Sequence, residues 1–172
     1  MEEEFYFDFS DDAQRSVERY EEMIRNQDQY FFDAQAFENI IDYYIEKSDP
    51  VKALQVIEYA VNQHPYAAVF LVNQAQLLFI TDQTERAFLA LQKAEMLEAS
   101  EAEIYILRGN IYNSLERYSE ALDNFQKALE FAETTDEILL QIAYVYQNML
   151  DYENAIVYIK QSLEQNMENK DG

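Results

Sequence analysis

Apolar residues in this chain recur at helical spacing and, on a longer scale, at a fixed period. Ala53, Ala87, Ala121 and Ala155 stand 34 residues apart. Another small residue follows each by seven positions, at Ala60, Ala94, Ala128 and Ser162, and a bulky apolar one by four, at Ile57, Leu91, Phe125 and Ile159. Upstream runs a column of Tyr44, Leu78, Tyr112 and Tyr146, preceded three positions earlier by Ile41, Ala75, Gly109 and Ala143. Five columns kept in one register through four units, with no insertion, specify a repeated pair of helices. The units are 34–67, 68–101, 102–135 and 136–169, followed by a polar tail at 170–172. Ahead of them, Ala13, Val17, Tyr20 and Ile24 trace one face of an amphipathic helix within residues 12–29. The expectation is an all-α chain of nine helices with no strand.

This period and its column chemistry resemble the tetratricopeptide repeat. The third unit matches best, with Tyr105, Gly109, Tyr112, Ala121, Phe125 and Ala128 at that family's signature spacing. The resemblance implies a right-handed superhelical solenoid of antiparallel helix pairs, with the helix in residues 1–33 capping its open end. The columns have a physical reason. Helices approach closely only where side chains are small, and the large columns fill the space between units that cannot bury their apolar faces alone. Helix starts recur too. Asp49-Pro50 places an N-cap before a proline at the first helical position. Ser100 with Glu103 reads as a capping box, and Asp151 as the cap of the last second helix. Pro65 falls at the family's inter-repeat proline, which Ala99, Glu133 and Met167 replace elsewhere.

Some positions depart from the pattern. Gln74 and Arg108 stand in a column that holds Ile40 and Ile142 in the outer units. Either they pair with each other across neighbouring first helices, or both snorkel to water. Ile41 replaces a small residue, so the first helix crossing should be wider. Arg19 falls in the alanine register of the capping helix. Phe5, Tyr6, Phe7 and Phe9 form an acidic-aromatic string that either docks in another molecule or folds back on this one.

Composition narrows the function. Hydrophobic residues make up 49 %, enough for a core, and four Gly plus Pro in all starve a β-rich fold of turns. Without Cys there is no disulfide or thiolate metal site, and the one histidine, His64, reads as a solvated loop residue beside Pro65. No Gly-rich phosphate loop or calcium-loop spacing occurs, so neither catalysis nor a cofactor or metal is expected. The net charge of −22 repels phosphate backbones and anionic lipid, which argues against nucleic acid and membrane as partners. No apolar stretch is long enough to span a bilayer and no secretory signal is recognised, so a cytoplasmic location is the default expectation.

The same period places a ligand. On the first helix of each unit, the positions left over from the core are Gln35, Glu38, Asp42 and Ile45, then Val69, Val72, Gln76 and Phe79. In the last two units they are Glu103, Ile106, Asn110 and Asn113, then Glu137, Leu140, Tyr144 and Gln147. Apolar residues, amides and acids mix there without one Lys or Arg, which suits a groove for a basic or neutral amphipathic peptide. The resemblance also offers a test. Chaperone-binding members of the family hold a terminal carboxylate with lysine, arginine and asparagine on this face, and here the cations are missing. A protein- or peptide-binding scaffold is therefore the leading expectation. Two others stand beside it: a self-associating module, as homodimer or part of a longer array, and a small acidic secretion-chaperone type. For self-association the candidate patch is Tyr146, Ile159 and Leu163, at the end of the last unit.

Overall fold

The computed structural model describes residues 11–168, and among them are nine α-helices and no strand. They are α1 (Asp11–Asn26), α2 (Ala34–Glu46), α3 (Pro50–Gln63), α4 (Ala68–Ile80), α5 (Thr84–Leu97), α6 (Ala102–Ser114), α7 (Tyr118–Phe131), α8 (Asp136–Asn148) and α9 (Tyr152–Glu168). The Phe5–Phe9 string lies outside the described residues. After α1 the helices pack as α2/α3, α4/α5, α6/α7 and α8/α9, and each pair packs on the next.

The small columns sit at the crossings, as their size requires. Ala53, Ala87, Ala121 and Ala155 are buried, as are Ala60, Ala94, Ala128 and Ser162. At Gly109 the approach is close: an added Cβ would stand 2.8 Å from the Phe125 ring. The first pair is the loosest: α2 and α3 approach each other less closely along their lengths than the later partners do. Ile41 explains this, since it is buried where the other units carry Ala75, Gly109 and Ala143.

Each first helix ends in a left-handed residue: Ser48, Asp82, Glu116 and Leu150, with φ of 55°, 61°, 60° and 62°. The next amide then turns back onto the carbonyl five residues earlier. Asp49, Gln83, Arg117 and Asp151 donate to Tyr44, Leu78, Tyr112 and Tyr146 at 2.8–2.9 Å. This turn satisfies carbonyls that the helix end leaves unpaired.

Caps differ in part from expectation. Asp49 accepts from the Lys52 amide and Asp151 from that of Asn154, as their positions predict. Ser100 with Glu103 makes no capping box. Helix α6 begins one residue late for it, with Glu101 at the N-cap, and the Ser100 hydroxyl donates to Glu98 instead at 2.6 Å.

At the N-terminal end α1 packs on α2. Its inward face is Ala13, Val17, Tyr20 and Met23, all buried, whereas Ile24 is exposed. The helix stops at Asn26, and the Met23 carbonyl and sulfur then accept from the amides of Asp28 and Tyr30, which turns Met23 inward. Arg19, in the alanine register, lies over the Phe32 ring and donates to the Phe31 carbonyl at 3.2 Å. His64 is not a solvated loop residue. Its Nε2 lies 2.8 Å from the Phe32 carbonyl oxygen, and its ring packs against Phe31, Phe37 and Phe70. With Gln63, which bonds Tyr30 and Phe32 through its side chain, it fastens residues 27–33 to the first unit.

Candidate functional site

Which side of the array faces inward follows from the neighbours. First helices approach one another, α4 with α6 and α6 with α8, whereas among the described residues no second helix approaches another second helix. A row of pairs that is closer on one side curves toward that side, which puts α4, α6 and α8 on the inner side; α2 makes no such approach to α4, and its face follows from the repeat register alone.

On that face the predicted positions divide. Ile45, Val69, Leu140 and Tyr144 are large, apolar and 44–53 % exposed. Phe79 and Ile106 are half-buried against the cores beneath them. Val72 departs from expectation. It is buried with Leu71 and Ala75, because α4 is apolar nearly all round and sinks one more residue into the core. Gln35, Gln76 and Gln147 are exposed, and Asn110 and Asn113 half-buried. The Asn113 side-chain oxygen accepts from Asn148 at 3.1 Å, which links the third and fourth units, and Gln35 donates to Asn39 at 3.4 Å.

Acids give the face its sign. Glu38, Asp42, Glu103 and Glu137 lie along it, and no base does. Burial holds the Asp42 carboxyl above its ordinary value. Burial, with the nearby Glu101 and Glu137 charges, does the same for Glu103. The Glu103 shift thus carries a part due to neighbouring negative charge, and a cationic ligand beside either carboxyl would favour its charged form.

Gln74 and Arg108 do not pair with each other, and Arg108 does not run to water. Gln74 borders an open cleft of about 490 Å³ with Val61, Pro65, Leu71, Met96 and Leu97, away from the inner face. Arg108 meets Glu95 of the preceding unit's second helix at 2.8 Å. A column read on first helices alone could not show this, because the partner lies on a second helix 13 residues earlier.

Of the residues proposed for self-association, Tyr146 is half-buried and stacks on Tyr158 at 5.4 Å between centroids. Ile159 and Leu163 are exposed. Among the described residues no group of three or more His, Cys, Asp or Glu side chains is placed to hold a metal ion. No described helix is long and apolar enough to cross a membrane.

The tetratricopeptide repeat family profile matches residues 102–134 and again 136–168. No curated protein matches the chain in sequence. Among solved structures it is similar to MamA, at 18 % identity and TM-score 0.75 over 93 % of this chain and 92 % of that one. It is also similar to a thermophilic tetratricopeptide-repeat protein of Thermus thermophilus, at 18 % identity and TM-score 0.72 over the same shares. A third is MamA of Desulfovibrio magneticus, from residue 41 to its end, at 14 % identity and TM-score 0.68 over 93 % of this chain and 98 % of that one. At such identities the likeness concerns the fold. The two matched units share their columns and helix pairing with the two before them, and the chain belongs to the tetratricopeptide repeat family.

Proposed function

We propose that this protein is a non-enzymatic scaffold that binds a basic or neutral amphipathic peptide segment along its inner face. The observation that carries the reading is the row of Ile45, Val69, Leu140 and Tyr144. These large apolar side chains are exposed on the face that the curvature shelters, among amides and acids and without a cation. Apolar side chains of a ligand would seat between them, and the amides of Asn110 and Gln147 would bond its backbone. A carboxylate-ended ligand suits the face poorly, since four acids line it.

Selection from a random peptide library on the whole chain tests this. Enriched peptides should carry Lys or Arg beside large apolar residues, and Tyr144→Ala should weaken them by about tenfold, the effect of losing a central aromatic anchor. Enrichment of acidic peptides, or binding indifferent to both Tyr144→Ala and Leu140→Ala, would move the site elsewhere.

A further inference from the structure

One face of α9 is bare, and the period shows what fits it. Ile57, Leu91 and Phe125 are fully buried, yet Ile159 at the same register is 42 % exposed. Tyr152, Ile156 and Leu163 complete the stripe at 52–59 % exposure. Their equivalents one unit earlier, Tyr118, Leu122 and Leu129, pack against a core cluster that α8 supplies in part. In every earlier unit the cover is the first helix of the next: α4 on α3, α6 on α5, α8 on α7.

Those covering helices share a register but differ at one position. Helix α8 offers Ile138, Leu139, Ile142 and Val145, all buried. Helix α6 carries Arg108 where α8 carries Ile142. The difference tracks the surface beneath. Arg108 meets Glu95, whereas Ile142 shares a core cluster with Leu129. At this register α9 presents Leu163.

We infer that the α9 face takes the first helix of a further repeat unit, of the α8 kind and not the α6 kind. Its occupant is an amphipathic helix with large aliphatic residues at i, i+1, i+4 and i+7, the i+4 side chain lying on Leu163. A second copy of the chain is the poorer occupant, since it would set a net charge of −22 against another −22. This surface is separate from the inner face, so the two assignments stand or fall independently.

Two labelled peptides of equal net charge make the test, one with the sequence of residues 134–150 and one with that of 100–116. Fluorescence anisotropy against the whole chain should show the first binding and the second weaker by about tenfold, the cost of setting an arginine on a leucine. Leu163→Glu leaves an exposed position polar and the fold intact. It should weaken the first peptide by about tenfold and tighten the second, by recreating the Glu95–Arg108 pairing. Tyr144→Ala, on the inner face, should change neither. The inference is overturned if neither peptide binds, if Leu163→Glu changes neither affinity, or if Tyr144→Ala abolishes the binding. It is equally overturned if sedimentation shows a dimer that Leu163→Glu dissolves, since the occupant is then a second copy.

Discussion

Arg108 and Glu95 meet across the junction of the second and third units, guanidinium nitrogen to carboxylate oxygen at 2.8 Å. The other Glu95 oxygen accepts from the Tyr105 hydroxyl at 3.1 Å. Arg108 holds the Glu95 carboxyl below its ordinary value, through the hydrogen bond first, with Tyr105 adding to it. With side-chain exposures of 15 % and 33 %, the pair is neither a solvated surface bridge nor a sealed one. It replaces the aliphatic contact that Leu129 and Ile142 supply one unit later.

Removing one partner should therefore cost more than removing both. Arg108→Ile or Glu95→Leu alone strands a half-buried charge and should cost about 1–3 kcal/mol in urea titration. The double variant recreates the Leu129 and Ile142 arrangement and should recover most of the loss. Additive costs would show that the two side chains do not act as a pair. The pair also has an acid limb. Because the folded carboxyl titrates below the unfolded one, its stabilisation is present above the ordinary carboxylate range and is lost as pH falls through the folded value. Arg108→Ile should remove that limb.

Gly109 and Phe125 give a steric prediction of the same form. Gly109→Ala gains about 0.5–1 kcal/mol of helix propensity, but its methyl would stand 2.8 Å from a ring that is fully buried. Overpacking costs about 1–3 kcal/mol, so the substitution should destabilise on balance. In a Phe125→Leu background, which copies the Ala75 and Leu91 combination of the second unit, the same change should stabilise. Thermal unfolding of the parent protein and the three variants reads the sign directly, and a loss in both backgrounds would place the clash elsewhere.

The columns made the architecture legible because chemistry and position repeat together: close crossings require small residues, so the Ala53 and Ala60 columns stay small in all four units, and the one large exception, Ile41, goes with the loosest pair. The turns were not legible for the opposite reason. Ser48, Asp82, Glu116 and Leu150 share one left-handed conformation at the 34-residue period, yet no two are the same residue and none is glycine. His64 was misread because its partner is the backbone carbonyl of Phe32, which a side-chain pattern does not display. On the inner face, Val72 was assigned by adding a period to the first unit. Helix α4 breaks that assumption by being apolar on nearly every side.

Those left-handed residues yield a prediction for Leu150, where a large side chain holds φ at 62° and stays 70 % exposed. Leu150→Gly removes left-handed strain of about 1–2 kcal/mol and adds about 0.5–1 kcal/mol of unfolded-state entropy cost. A net gain of about 0.5–1 kcal/mol should appear as a raised denaturation midpoint with an unchanged slope. The same change at Ala121, buried in the middle of α7, should destabilise. That contrast separates a conformational gain from a general tolerance of glycine.

The last prediction concerns how a cationic peptide would reach and leave the inner face. Asp42 and Glu103 carry carboxyls whose charged forms are disfavoured, Asp42 by burial and Glu103 by burial and then by Glu101 and Glu137. A bound Lys or Arg would favour the charged forms, so binding should release protons and tighten as pH rises through the window just above the ordinary carboxylate range. Long-range attraction acts on the encounter, whereas apolar anchoring acts on the bound complex. Glu38→Lys with Asp42→Lys should slow association several-fold, an effect that fades as salt rises. Tyr144→Ala should leave association nearly unchanged and speed dissociation by about tenfold. Stopped-flow measurements with one selected peptide, at two salt concentrations and across pH 4–7, resolve both rates. A peptide whose association ignores the two lysines, or whose affinity falls as pH rises, does not bind the face that these acids line.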